Sequence, residues 1–442
     1  MKSNFVEFED LNATKTGDGI PDGWDTSTLR SLCRRAGTTD PTKNPNLSFE
    51  YVDVSSISNE LWKITTTTRH TGATAPSRAR KFVQVRDVIF ATVRPTLKRV
   101  ALVPNDLDGQ IVSTAFCVLR ADPAKADSHF LYYSLLTDDF IARMENLQRG
   151  ASYPAVADSD VLEQEIPVPP LPEQRAIAAV LAKIHAAMEV QDKIVATLKE
   201  LKAATMAKLF REGLRGEPLK QTEIGEMPES WGVKSIGQVF EFTTKHRGLR
   251  FENYESIPFI PMDLIPLDRL FFSDFVLRKP KEITSGTYFE EGDLLVSKIT
   301  PCFENGKQGI PTKIPGAFGI ATTEVVPIKA KEEVSHLPFL AMYLLDSEVR
   351  NSLAGKMEGA TGRQRLSKSV LEEWPIPFPS FSEQRDIANV LLKIQAMEES
   401  NSKKRDILKS LFSSMLHLLM TGRVRVTNLT ESRSINQEKK NE

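Results

Sequence analysis

Two stretches of forty residues, 172–211 and 382–421, contain no internal proline or glycine. Apolar residues recur along the first at Ile177, Val180, Leu181, Ile184, Met188, Ile194, Val195, Leu198 and Leu201. Along the second they fall at Ile387, Val390, Leu391, Ile394, Met397, Leu408, Leu411, Met415 and Leu418. Steps of three and four place one apolar stripe on each, which predicts two long helices with a narrow coiled-coil seam. At the α-helical rise each would run about 60 Å if continuous. Proline-rich stretches precede both, Ser380 followed by Glu383 fits a capping box, and Gly213 and Gly422 stand at C-terminal capping positions. Gln191 and Asn401 interrupt the stripes at equivalent places. Each reads either as a tolerated edge residue or as a buried amide that sets helix register.

The chain repeats itself. Segments 166–186 (IPVPPLPEQRAIAAVLAKIHA) and 376–396 (IPFPSFSEQRDIANVLLKIQA) share 13 of 21 positions at an offset of 210. Fainter echoes lie upstream: Phe130-Leu131 with Phe339-Leu340, and Gly150-Ala151 with Gly359-Ala360. Pro21-Asp22-Gly23-Trp24 answers Pro228-Glu229-Ser230-Trp231, and Asp87-Val88-Ile89-Phe90 answers Asp293-Leu294-Leu295-Val296. The chain is two copies of one unit, each a divergent globular part followed by a closely similar helix. The repeat geometry favours antiparallel packing of the two helices with pseudo-two-fold symmetry. The seam is expected along Ile177, Leu181, Ile184, Gln191 and Leu198 of the first helix, and along Ile387, Leu391, Ile394, Asn401 and Leu408 of the second.

The globular parts read as mixed α/β. Strands are expected at 82–93, 100–103, 111–119, 293–299 and 322–328, and helices at 130–144 and 338–353. With 442 residues, 40% hydrophobic and 26% charged, the chain has ordinary globular composition. Cys33, Cys117 and Cys302 are scattered, the N-terminus is acidic and polar, and no apolar run reaches membrane-span length. These features fit a cytoplasmic protein.

Net charge is −1, but it is unevenly distributed. Segments 1–170 and 217–380 carry −3 and −4, while 171–216 and 381–442 carry +3 each. Basic residues also gather in loops. Candidates for DNA contact are Arg78, Arg80, Lys81, Arg94, Lys98 and Arg99 in the first copy, and Lys245, Arg247, Arg250, Lys298, Lys307, Arg363, Gln364 and Arg365 in the second. Arg and Gln suit bidentate contacts to guanine and adenine edges. Such clusters are also common as solvated faces.

Chemistry is hard to find. The sequence has no phosphate-binding GxxxxGK[ST], no HExxH, no paired-cysteine zinc spacing and no GxSxG elbow, and its six histidines are dispersed. It also lacks a glycine fingerprint for S-adenosylmethionine and the Asn/Asp-Pro-Pro-aromatic motif of amino-methyltransferases. No catalytic residue and no metal ligand is assigned.

The duplicated run ending in Glu173-Gln174-Arg175 and Glu383-Gln384-Arg385, the helices after it, the Pro-Glu-Ser-Trp at 228–231 and the closing run at 419–426 resemble the DNA-specificity subunits of type I restriction–modification systems. The resemblance covers about residues 20 to 426. It implies an α+β architecture of two mixed α/β target-recognition domains joined by two long antiparallel coiled-coil helices. The corresponding divisions are 1–170 and 217–380 for the recognition domains, 171–216 and 381–426 for the helical spacers, and a polar, disordered tail at 427–442. It implies double-stranded DNA as ligand, read as a bipartite target with one domain per half-site and a gap set by helix length. It also implies two modification (methyltransferase) subunits and restriction/translocase subunits as partners. S-adenosylmethionine, ATP and Mg would be held by those partners and no cofactor by this chain. One departure stands out: the first copy has Ser-Tyr-Pro-Ala-Val-Ala-Asp at 152–158 where the second has Arg363-Gln364-Arg365. Two further readings stay open: a self-sufficient DNA-modifying enzyme and a coiled-coil adaptor.

Overall fold

The computed structural model describes residues 20–360 and 362–426. The polar tail expected at 427–442 lies outside them. The chain forms two compact units, 1–190 with 405–442, and 191–404. The long helices, Leu171–Glu212 and Phe381–Met420, each begin in one unit and end in the other. Among the described residues no helix is long and apolar enough to cross a membrane.

The first unit holds two four-stranded sheets. One runs Thr68–Thr71, Ser48–Val52, Ile111–Ser113, Ala79–Phe82, and the other Cys33–Arg34, Phe116–Ala121, Val88–Ala91, Val100–Leu102. The second unit repeats this plan despite its divergent sequence. Its four-stranded sheet runs Val276–Arg278, Ile257–Ile260, Phe318–Ala321, Thr287–Glu290, with the single parallel joint in the same place. Its other sheet gains a fifth strand, Phe271–Phe272, beside Gln308–Pro311. Both units close with a short antiparallel pair just before a long helix: Asp25–Thr28 with Glu165–Val168, and Gly232–Ser235 with Pro375–Phe378.

Local chemistry cuts several expected elements. The strand expected over 82–93 breaks at a turn in which Arg86 takes a positive φ of 67°. The helix expected over 130–144 is two, Ser128–Ser134 and Asp138–Leu147. Thr137 ends the first by donating to the Ser134 carbonyl and caps the second by accepting from Phe140 N. Asp346 likewise caps Ser347–Ala354, separating it from Leu337–Leu345.

Within each unit the two half-helices pack antiparallel. In the second unit Gln191 Nε2 donates to Asn401 Oδ1 at 2.8 Å, and the helix end at Gly213 lies against Glu383. Residue numbers thus rise along one helix as they fall along the other. In the first unit Glu173 pairs with Arg425, and His185 lies 5.8 Å from the Phe412 ring. Gln191 is buried, and Asn401 Nδ2 donates to the Met397 carbonyl one turn back. The amide pair is therefore satisfied inside the seam.

The seam runs one position away from four expected residues. Ile194, Leu201, Met397 and Leu411 are exposed, and the residue after each faces inward. Val195 and Phe412 are buried, and Lys202 Nζ pairs with Glu398 Oε2 at 2.6 Å. Buried positions 177, 181, 188, 191, 195 and 198 average close to 3.5 residues per turn, the coiled-coil period. Ile177, Leu181, Leu198, Ile387 and Leu391 are buried, while Ile184, Ile394 and Leu408 are half-buried.

Leu198 is 7% exposed at the helix pair. Leu198→Ala should destabilise the fold by about 2–5 kcal/mol, checked by denaturant unfolding, whereas Leu201→Ala should change it by less than about 1 kcal/mol. Equal losses from the two variants would contradict this seam.

Candidate nucleic-acid interface

The central strand of one sheet in each unit ends in a loop that receives a hairpin at its edge. In the first unit Val88–Ala91 runs out to Arg94, and the hairpin spans 149–156. Arg149 and Ala155 exchange both backbone hydrogen bonds at 2.8 and 2.9 Å. The hairpin joins the strand through Val156 N to Thr92 O at 2.9 Å and Arg94 N to Pro154 O at 2.7 Å. The second unit builds the same joint: Glu358 and Arg365 exchange bonds at 3.0 and 2.8 Å, Leu366 N donates to Lys298 O, and Thr300 N to Gln364 O. Gly150 and Gly359 open the two tips at φ of 96° and 131°, and a Cβ there would meet backbone oxygens at 3.0 and 2.7 Å. The echo of Gly150-Ala151 in Gly359-Ala360, with the correspondence of 152–158 to 363–365, is the sequence signal of this shared device.

Of the candidates, Arg94 belongs to the first joint and Lys298, Arg363, Gln364 and Arg365 to the second, while Lys245, Arg247 and Arg250 lie in the loop that leads into Phe251–Asn253. Arg363, Arg247 and Arg250 are exposed, and Lys245 is exposed with its ammonium 3.8 Å from the Phe251 ring centroid. Gln364 is half-buried, its carbonyl taken by the hairpin joint. Arg365 is exposed but forms a bidentate pair with Glu324 at 2.9 Å on both arms. Its guanidinium holds the Glu324 carboxyl below its ordinary range. Lys298 and Lys307 are half-buried in the same loops. In the first unit Arg78 is exposed, and Arg94 and Lys98 flank a 3₁₀ turn at positive φ of 50° and 51°. That conformation is uncommon for residues bearing a Cβ. Lys98 pairs with Asp138 at 2.6 Å.

Three first-copy candidates are engaged inside the fold. Lys81 pairs with Asp158 and donates to the Phe116 carbonyl. Arg99 donates to the Val54 and Ile57 carbonyls at 2.6 and 3.1 Å. Arg80 donates to the Ala79 carbonyl and sits 3.6 Å from Asp40. The first-unit candidates are therefore separated by the structure, with Arg94 beside the hairpin and Lys81 and Arg99 turned to brace strands and loops.

The strand beneath each hairpin starts at a buried aspartate, and here the copies differ. Arg120 grips Asp87 bidentately at 2.9 and 2.7 Å. The equivalent cation in the second unit, Lys329, instead pairs with Glu290 at 2.6 Å, as does His246 at 2.6 Å. Lys329 foremost, and His246 after it, hold Glu290 below the usual carboxylate range. Asp293 keeps a 2.8 Å bond from Glu290 N, but burial pushes its carboxyl up to about 6.

A family model described as the type I restriction modification DNA specificity domain matches this chain twice, at 21–202 and 228–409. The chain belongs to that specificity family. Each match takes in one globular part and the helix that follows it. A "Type I restriction enzyme MjaVIII specificity subunit" of Methanocaldococcus jannaschii is 27% identical over 334 residues, covering 72% of this chain and 75% of the relative. A putative MjaX specificity subunit of the same organism is 23% identical over 96% of this chain and 98% of its own length. Among solved structures, a chain from work on complex assembly and conformational transition of the type I R-M system is 27% identical. It covers 91% of this chain and 99% of its own, with a TM-score of 0.54. The S subunit of M. genitalium, at 17% identity and a TM-score of 0.56 over 90% of this chain, shares the fold.

The buried aspartate of the second domain gives a pH test. Its folded value of about 6 lies above the unfolded value near 4, so the native state binds the proton more tightly than the unfolded state. Ionising it costs stability as pH rises from about 4 to about 6, and the loss stays constant above that. Asp293→Asn keeps an acceptor for Glu290 N and removes the ionisation. Its melting temperature relative to the parent should climb across that window and level off above it. Parallel pH profiles for the two proteins would rule this out.

Proposed function

We propose that this chain is the DNA-reading subunit of a type I restriction–modification assembly, each globular unit recognising one half of a bipartite target. Its chemistry would be supplied by partners: two modification subunits carrying S-adenosylmethionine for adenine methylation, and restriction/translocase subunits using ATP and Mg. The observation that carries the reading is the pair of matched hairpins. Both units hold the same edge hairpin by the same four backbone hydrogen bonds and hang different side chains on it. A constant frame with variable tips suits two domains that read different sequences by one geometry. Phosphate contacts from exposed Arg and Lys would position the units, and tip residues would meet base edges.

The family match and the relatives named as specificity subunits support this reading. A self-sufficient enzyme is the alternative reading, and an assay of the lone chain distinguishes the two.

Two outcomes are expected. The purified chain with S-adenosylmethionine and Mg should transfer no methyl group to DNA and leave it uncut, activity appearing when modification subunits are added. Methyl transfer by the lone chain in a radiolabel assay would reverse the assignment. Second, exchanging residues 20–165 for the equivalent part of a relative should change one half-site and leave the other fixed. Genome-wide mapping of methylated adenines reads this directly, and a change in both half-sites would break the one-domain, one-half-site rule.

A further inference from the structure

Resting on that reading, we infer that the 149–156 hairpin is a DNA-contacting element of the first domain and that Tyr153 is its specificity-determining residue. By sequence this loop lacks the basic run of its counterpart. The backbone nevertheless places Tyr153 where the second domain has Arg363. Each residue immediately precedes the one whose carbonyl accepts from the strand-end N–H: Pro154 O from Arg94 N at 2.7 Å, and Gln364 O from Thr300 N at 3.0 Å. Tyr153 is 74% exposed, the most exposed large apolar side chain among the described residues.

Single exposed aromatics are ordinary on protein surfaces. This one is distinguished by its setting. Its tip is closed by paired backbone bonds, so the ring projects from a defined platform. Arg94 lies with its guanidinium carbon 5.6 Å from the ring centroid, on a residue whose own backbone is at φ of 50°. Arg149, at the hairpin base, pairs with Asp160, which also accepts from Ala157 N. The tip therefore presents one aromatic edge with one cation beside it.

Those two groups divide the work of contacting duplex DNA. The guanidinium suits a phosphate, and the ring suits an apolar contact at base edges such as the thymine methyl, with the phenol hydroxyl able to donate or accept. The two domains then discriminate by different chemistry from one position: hydrogen bonding from Arg363, and shape and apolar contact from Tyr153.

The test uses the full chain assembled with its modification subunits. Methylation mapping of the parent assembly defines the two half-sites, and the exchange of residues 20–165 identifies which belongs to the first domain. Tyr153→Ala should weaken binding to the parent target at least tenfold and relax one base position in that half-site. The other half-site and the salt dependence should stay unchanged. Tyr153→Phe should retain recognition, and Tyr153→Arg should shift the preferred base at the same position. Parent-like melting temperatures confirm that the variants fold. If Tyr153→Ala and Tyr153→Arg leave map and affinity at parent values, or only weaken capture of the modification subunit, the inference is wrong while the function proposed above stands. A parent assembly with no bipartite target would remove both.

Discussion

A carboxylate at the start of each long helix, buried in the second unit and part-buried in the first, joins three parts of the chain that are far apart in sequence. In the second unit Glu383, with its side chain 2% exposed, accepts from the Trp231 indole N–H at 3.2 Å and from Leu214 N at 3.2 Å, with Arg215 at 3.5 Å. In the first unit Glu173 accepts from Trp24 at 3.2 Å and from both arms of Arg425 at 2.6 and 2.8 Å. The tryptophan opens a globular part, the glutamate starts the helix that follows it, and the arginine ends the other long helix. A charge this enclosed is tolerable only while its donors stay in place, and losing one partner of such a group is worth on the order of 3–5 kcal/mol. The contact thus forces the end of one helix to lie at the start of the other, and the antiparallel seam follows from it.

The same three residues explain why the copies are most alike there. Ser380 Oγ caps Glu383 N at 3.4 Å, as a capping box requires, but the Glu383 side chain turns to Trp231 instead of reaching back. Gln174 and Gln384 make matching sets of bonds. Each amide oxygen accepts from a backbone N–H before a globular helix, Asp127 N or His336 N, at 2.9 Å. Each amide nitrogen donates to two carbonyls, Lys125 and Pro169 in one unit, Val334 and Pro379 in the other. Neither Asp nor Glu could replace a glutamine that both donates and accepts without leaving a buried carbonyl unpaired.

Long-period features were legible in the sequence because they repeat over many residues. The duplication, both helices and their capping glycines needed only spacing and residue type. The seam was displaced by one residue at Ile194, Leu201, Met397 and Leu411 because apolarity alone does not distinguish neighbours. Lys202 and Glu398 could claim seam positions only as a pair, and pairing across helices is invisible along one of them. The apolar pattern runs on across Thr137 and Asp346, whose side chains compete for backbone groups that apolarity does not register. Candidate DNA contacts were legible as residue types only. Whether an arginine faces solvent, like Arg363, or braces backbone carbonyls, like Arg99, depends on long-range neighbours.

Divergence between the copies is unevenly placed, and its pattern follows what each position must satisfy. Backbone hydrogen bonds do not depend on side-chain identity, so the sheet order and the hairpin joint survive where few residues match. Side chains that complete a buried polar set cannot drift singly. Asp87 with Arg120 corresponds to Asp293 with Lys329, yet Lys329 is drawn to Glu290 together with His246, and the buried aspartate has a raised affinity for its proton. Such a rearrangement requires several residues to change together. The tip side chains Tyr153 and Arg363 carry no such obligation, because neither makes a hydrogen bond or ion pair with the rest of the fold among the described residues. Tips are therefore where a duplicated reader can change what it reads at the least structural cost, and the contrast of Tyr153 with Arg363 on one frame is the form that freedom takes here.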